Sequence, residues 1–369
     1  MIGFCLGAGA GTRLEPLTRV TPKPLLAPAG RPLIDLAVEA LRRAGATRVV
    51  VNAHHGADQL AAHLAGRPGV EVLVEPVLLG TGGGLVNAAR LGLLGAGDDP
   101  VLVTAADHVV DPADLATLAG FLERSNTLMV AGLIPAGPDP FGLRLEDPAP
   151  DRVGEGPAGK APGPRVQMRA EWDPAVDRVG EGSAPPGGRV VRDPAGPWDS
   201  AGAYALRAGL LCDLKPGQAS LSGRVLGPLL ERGRLAGLPF RGPVADAGTL
   251  PRLLDVSVGL LTGRWPYELP PGRLRQAPAT GPVFVAEGAE ADPAGVLAGP
   301  VVVDTGARVG AGAVVTRSVV GPGAVVGPGA RVTGSFLGPG AKVPPGATAT
   351  AALVPASQPS PHLSPTEPT

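Results

Sequence analysis

Apolar positions along the first 135 residues follow two alternating periods. Residues 1–5, 48–52, 70–74 and 100–104 are short apolar runs that suit buried strands, and a further one spans 126–134. Between them Leu33, Ile34, Ala37, Val38 and Leu41 recur at helical spacing until Gly45 stops the run, and residues 56–64 and 84–94 read as further helices. The Asp111-Pro112 pair is a helix start, with Asp111 as the cap. Strand and helix alternating at these intervals predict an α/β, doubly wound, mostly parallel sheet. The C-terminal third changes period. Val309, Val315, Val320, Val326, Val332, Leu337 and Val343 follow one another in steps of about six, six and five, with glycines between. One inward aliphatic per step and a tight corner after it is the requirement of a triangular left-handed parallel β-helix.

Composition alters this picture in one place. Gly 56 and Pro 44 are high enough to raise disorder as an alternative, but the excess gathers in a middle insert (about 146–198), a Pro/Arg-rich linker (263–282) and the periodic third. The insert repeats itself, with D-P-A-P-D-R-V-G-E-G from Asp147 and D-P-A-V-D-R-V-G-E-G from Asp173; two copies are too few for a solenoid. The expected organisation is a domain over 1–262, the linker, the β-helix over 283–350 and a disordered Ser/Pro/Thr-rich tail over 351–369. A formal net charge of −1 gives no reason to expect nucleic-acid or membrane-surface binding. No apolar run reaches the length of a membrane span and no cleavable leader is visible, so the expected location is cytoplasmic. Cys5 and Cys212 sit in apolar stretches and read as buried small hydrophobes, without metal spacing. His54-His55 has no carboxylate or thiol at ligand spacing and reads as a strand-end loop.

The chemistry concentrates between Leu6 and Leu26, L-G-A-G-A-G-T-R-L-E-P-L-T-R-V-T-P-K-P-L-L. The loop follows the first strand, at the sheet edge where open α/β folds take ligands. Leu6, Gly7, Ala8, Gly9, Gly11 and Thr12 offer backbone amides with little side chain in the way, which suits phosphate oxygens. Arg13 adds a rigid guanidinium fork and Lys23 a mobile point charge. Prolines at 16, 22, 24 and 28 keep the path extended between the two. A dinucleotide loop would run straight into a helix and a P-loop needs Gly-Lys-Ser/Thr, so neither fits.

This run closely resembles the signature of the sugar-nucleotide pyrophosphorylases, G-x-G-(T/S)-R-L-x-P-L-T-x-x-x-P-K-P, and meets every fixed position from Gly9 to Pro24. The resemblance implies a Rossmann-like, mostly parallel nucleotidyltransferase sheet followed by a left-handed β-helix of hexapeptide repeats. It implies an enzyme that joins a nucleoside triphosphate to a sugar 1-phosphate, with Mg²⁺ as cofactor. Three further segments match in order. Gly80, Thr81 and Gly82 lie in the L-G-T-x-G-x-L segment that borders the nucleobase in the family. Asp107, in A-A-D-H, resembles the strand-end metal aspartate, especially that of mannose 1-phosphate guanylyltransferases, and Asp246, in D-A-G-T, the second metal aspartate. Glu75 departs from the pattern: a carboxylate accepts hydrogen bonds only, and guanine presents two donors on one edge, so Glu75 gives a weak preference for guanine, the other reading being a solvent-facing strand-end carboxylate.

The sugar half of the pattern is less well kept. Phe141-Gly142 resembles the pair that faces the sugar, and Ser200 stands in the Asn slot of an N-A-G-I-Y strand. No Glu-Lys-Pro is present; Glu171, with Trp172 after it, and Arg192 in R-V-V-R-D-P are rival replacements. A catalytically impaired nucleotide-sugar-binding regulatory subunit is the alternative function this departure leaves open. An acyltransferase role for the repeat domain lacks a histidine base, since His54, His55, His63, His108 and His362 all lie outside it. The repeats are expected to serve as an oligomer contact, making a homo-oligomer.

Overall fold

The computed structural model describes residues 1–135, 143–146, 188–192, 197–212, 214–232, 234–276, 280–356 and 364–365. The expectations for Gly142, for Glu171, for the duplicated insert and for most of the tail lie outside them.

The N-terminal unit is built from β1 (Ile2–Leu6), α1 (Leu33–Arg43), β2 (Arg48–Ala53), α2 (Ala57–Leu64), β3 (Val70–Val74), α3 (Gly80–Arg90), β4 (Pro100–Ala105), β5 (His108–Val109), α4 (Pro112–Arg124), β6 (Met129–Pro135), β7 (Leu143–Glu146), β8 (Gly188–Arg192), β9 (Trp198–Arg207), α5 (Gly227–Glu231), β10 (Leu235–Pro239), β11 (Ala245–Asp246) and α6 (Leu250–Leu261). Nine of the strands form one sheet in the order β3-β2-β1-β4-β9-β6-β10-β8-β7. β1 runs parallel to both β2 and β4, and β9 is antiparallel to β4 and β6. The sheet is therefore mostly parallel, and the carboxyl ends of β1 and β4 lie side by side, Leu6 opposite Ala105. Both faces are covered. Leu36, Leu41, Val51 and Leu102 belong to one buried layer with α1 and α4, and Phe4, Leu85, Val103 and Leu206 to the other with α3.

Helix α3 begins at Gly80, one turn earlier than the period alone predicted. The glycines are tolerated there because the segment packs on backbone: a Cβ on Gly82 would lie 2.5 Å from the carbonyl oxygen of Ser220, and one on Gly83 the same distance from that of Gly217. Cys5 is buried, as expected, and its burial raises the thiol pKa. Cys212 is exposed, against expectation, because it falls after the short helical turn Ala208–Leu211 rather than within it.

The C-terminal unit is a stack of short parallel strands in three sheets, as the period requires. Val309 pairs with Val326 and Val326 with Val343; Val315 pairs with Val332; Val320 pairs with Leu337 and Leu337 with Val354. All are at most 3% exposed and fill the interior with Ala313, Ala324, Ala330 and Ala341. The stack extends past the expected limit at 350 to the strand Leu353–Val354. It also begins earlier, because Gly272–Arg275, within the expected linker, is a strand antiparallel to Val283–Ala286.

The two units share a core. Phe284, Val302, Val319 and Phe336 point outward from one face of the β-helix and are at most 1% exposed. They join Leu14, Leu17, Leu253 and Leu260 in a single buried cluster. The contact is close: a Cβ on Gly338 would lie 2.5 Å from Leu17 Cδ1, and one on Gly30 would lie 2.7 Å from Pro270 Cγ.

Candidate active site

A cleft of about 380 Å³ opens at the carboxyl ends of β1 and β4. Leu6, Gly7, Ala8, Gly9, Gly11, Thr12, Arg13 and Lys23 line it from the signature loop, Gly80 and Thr81 from the start of α3, and Asp107 from the end of β4. The loop is held from beneath. Gly7 N–H donates to Asn52 Oδ1 at 2.9 Å, and Thr18 Oγ1 donates to the Gly11 carbonyl at 3.0 Å. Gly11 itself takes φ 66°, which only glycine adopts without strain, and a Cβ on Gly9 would meet nothing within 4 Å. A ligand can therefore approach the backbone there.

Asp107 and Asp246 come together through a two-stranded ribbon. β5 pairs antiparallel with β11, setting Asp246 opposite His108, and the Ala247 amide donates to the Asp107 carbonyl at 2.9 Å. Lys23, only 8% exposed at its side chain, makes an ion pair with Asp107 and stands 3.8 Å from Asp246 Oδ1. Asp246 Oδ2 takes Arg252 at 2.6 Å. Arg13 is exposed and forms no ion pair among the described residues, yet it borders the same group. A Cβ on Gly248 would lie 2.6 Å from Arg13 Nη2 and 2.7 Å from Asp246 Oδ1, so the glycine of D-A-G-T keeps room between them.

His108, to which the sequence pattern assigns no role, joins this group. Its Nδ1 is 2.9 Å from Asp107 Oδ1. Burial works to raise the Asp107 pKa, but the hydrogen bond and charge of His108 and the charge of Lys23 outweigh it and hold the carboxyl well below the usual range. Burial would lower the His108 pKa, and its bond to Asp107 with the Asp107 and Asp246 charges reverses that and raises it. Donor atoms of Asp107, His108 and Asp246 lie within 4.8 Å of one another, and buried Asp246 Oδ1 has no hydrogen-bond partner. The two carboxylates of this set fit a hard divalent cation such as Mg²⁺, with His108 hydrogen-bonded beside them rather than ligating.

Glu75 departs from expectation. It is 1% exposed, with Oε1 accepting from Asn52 Nδ2 at 2.7 Å and Oε2 accepting from the Leu79 amide at 3.3 Å. Both oxygens are engaged within the protein, and Glu75 does not line the cleft. A carboxylate so placed has no free edge for guanine, and the argument for that base falls with it. Gly82 likewise lies behind the cleft wall, its amide donating to the Ala219 carbonyl at 2.9 Å. His54 and His55 serve loop geometry, with ring nitrogens 2.8 Å from the Glu75 carbonyl and 2.7 Å from the Thr18 carbonyl.

Of the sugar-side residues, Ser200 Oγ is 2.8 Å from the Tyr204 hydroxyl and accepts from the Gly202 amide at 3.2 Å. Gly202 lies against His108, where a Cβ would come within 2.7 Å of the ring, so Ser200 is on the strand that passes the acidic group. Arg192 ends β8 opposite Leu143, which also pairs with Trp198. Asn52 carries a signal in the sequence: an amide closing the apolar run V-V-V-N has to find buried partners.

Comparison with known proteins bears on the N-terminal unit: its residues 2–145 match the family described as nucleotidyl transferase. Among curated relatives, N-acetylmuramate alpha-1-phosphate uridylyltransferase of Caulobacter vibrioides is 42% identical over 115 residues, 29% of this chain and 46% of that protein. Mannose-1-phosphate guanyltransferase of Aspergillus fumigatus is 37% identical over 116 residues, 30% of this chain and 31% of that protein. The chain thus spans less than half the length of these relatives. A Bacillus anthracis structure named for glucose-1-phosphate thymidylyl transfer, solved with sucrose, superposes with a TM-score of 0.52 at 17% identity. It covers 70% of this chain and 94% of its own, and shares the fold. Among the described residues no helix is long and apolar enough to cross a membrane.

Proposed function

We propose that the protein transfers a nucleoside monophosphate from a nucleoside triphosphate to a sugar 1-phosphate, releasing pyrophosphate. The observation that carries this is the meeting of Arg13, Lys23 and Asp107 in one cleft, with Asp246 3.8 Å from Lys23 behind Gly248, from segments far apart in sequence. Two cations and a row of backbone amides suit a triphosphate; two carboxylates suit the cation that travels with it. The sugar phosphate oxygen is already anionic, so attack on the α-phosphorus needs no general base. Positioning and charge neutralisation are sufficient. The amides of residues 7–11 would orient the triphosphate, and Arg13 would take charge building on the departing pyrophosphate. Lys23, already set between the carboxylates, would contact the phosphate nearest them. Asp107 and Asp246, with His108 beside them, would hold Mg²⁺, which when bound supplies charge neutralisation at the phosphates.

Relatives are named for uridylyl and for guanylyl transfer, and guanylyl transfer to a mannose-type sugar loses its main support with the engagement of Glu75. The segment Leu78, Gly80 and Thr81 is the cleft wall available to a base, and Ser200 and Arg192 are the candidates for the sugar phosphate. The test is pyrophosphate release from GTP, UTP, dTTP, CTP and ATP, each with a panel of sugar 1-phosphates and Mg²⁺. Release with at least one pair is expected; binding of triphosphates without release from any pair would replace the enzyme with a regulatory subunit.

A further inference from the structure

We propose that Asn52 and Glu75 are a positioning pair that fixes the phosphate loop and the base-side segment at one separation, so that a triphosphate and its base are held together. The proposal rests on the reading of the cleft as a nucleotide site. Its ground is a continuous chain of hydrogen bonds that starts at the cleft floor, which Asn52 helps to line, and runs behind it to the start of α3. Gly7 N–H donates to Asn52 Oδ1, Asn52 Nδ2 donates to Glu75 Oε1, and the Leu79 amide donates to Glu75 Oε2. Both side chains are 1% exposed. At one end of the chain is the first amide of the signature loop, and at the other the residue that caps α3 beside Gly80 and Thr81.

Polarity along this chain is fixed from its ends. Both terminal groups are N–H donors, so the two side chains between them must present an acceptor at each end and one donor in the middle. An amide and a carboxylate satisfy this; the amide must turn its oxygen to Gly7, which leaves its NH2 for Glu75. Space is fixed as well. A Cβ on Gly84 would lie 2.5 Å from both Asn52 Nδ2 and Glu75 Oε1, so helix α3 presses on the bond between them. The pair therefore has one arrangement, and the loop and the α3 start move together or not at all.

The requirement can be broken and restored without changing shape. Asn52→Asp sets two carboxylates against each other. Glu75→Gln leaves one donor facing a donor whichever way either amide turns. The double variant Asn52→Asp/Glu75→Gln satisfies every position again, with the middle bond reversed. The carboxylate now at position 52 accepts from the Gly7 amide and from the side-chain NH2 at position 75, whose own carbonyl oxygen accepts from the Leu79 amide.

The test measures dissociation constants for GTP, UTP, dTTP, CTP and ATP with Mg²⁺ by calorimetry and, for the pair giving most pyrophosphate, KM for each substrate. Each single variant is expected to weaken the preferred triphosphate about tenfold or more, the scale of one unmade buried hydrogen bond, while KM for the sugar phosphate stays within about twofold. The double variant is expected to return to within about threefold of the native protein. A double variant no better than the singles, singles that bind triphosphate normally, or singles that raise both KM values alike would overturn the proposal. If the single variants do not fold, the double variant decides alone by folding and binding as the native protein does or failing to. Because triphosphate binding is read directly, an absence of pyrophosphate release would count against the proposed reaction and leave this test intact.

Discussion

The sheet end and the β-helix differ in how their contacts are spaced along the chain. At the sheet end every decisive contact is made once, between distant residues: Lys23 with Asp107 and Asp246, Asn52 with Gly7 and Glu75. In the β-helix one contact recurs each coil, Val309 on Val326 on Val343, always between like residues at the same register. The first region needs particular chemistry at single positions and tolerates local irregularity. The second needs only size and periodicity. Substitutions at the sheet end should therefore cost function before stability, those in the coil stability before function, and those at the shared seam both.

The largest contrast is expected at Arg13. It is exposed and makes no ion pair with a described residue, so Arg13→Ala should leave urea stability within about 0.5 kcal/mol. Turnover should fall about 10² to 10³-fold, about 3 to 4 kcal/mol of barrier, as for loss of one charge-stabilising donor. A large drop in stability with unchanged turnover would reverse the comparison. At the seam, Leu17→Ala empties a fully buried site that touches the coil, and should cost about 2 to 5 kcal/mol in urea unfolding and lower turnover too. Gly338→Ala presses a methyl on the same side chain and should cost about 1 to 3 kcal/mol. The two together should cost less than their sum, since the new methyl enters the space the leucine leaves. Additive costs would mean that the two do not touch.

The smallest effect is expected from a group belonging to neither end. Asp35 on α1 accepts from His63 at 2.8 Å and from Arg67 at 2.7 Å. Partial burial works to raise its pKa, and these two bonds and charges outweigh it and lower it. A depressed folded pKa means stability present above the unfolded value of about 3.9 and lost as pH falls through the lower, folded value. Asp35→Asn should be less stable than the native protein by about 1 kcal/mol or less at pH 7, and the gap should close below about pH 4. A gap that persists or widens in acid would assign Asp35 a role other than ion pairing.

What the sequence makes legible follows the same division. The coil can be read from Val and Gly spacing because each of its contacts repeats, and the signature loop because Gly, Arg, Pro and Lys stand in fixed register. Asp107 and Asp246 can be picked out singly, but their meeting depends on the β5–β11 ribbon, two residues on each side, too short to show a period. His108 and the bond joining Asn52 to Glu75 escape such reading, although Asn52 alone stands out as an amide at the end of an apolar run, and Glu75 draws a ligand-facing assignment because nothing local distinguishes a polar residue facing a cleft from one bonded behind it. The outward residues Val302, Val319 and Phe336 are visible as a second apolar side chain beside each inward one, but which neighbour they face is a tertiary fact.

That seam has a consequence for how the molecule comes apart. Leu17 belongs to the loop that shapes the cleft, and the surface it rests on is supplied by coils from the far end of the sequence. Heat or denaturant that opens the coil strips the loop of its backing at the same moment, so the two units should melt in one cooperative step, and the rim of the cleft should never outlast the stack behind it.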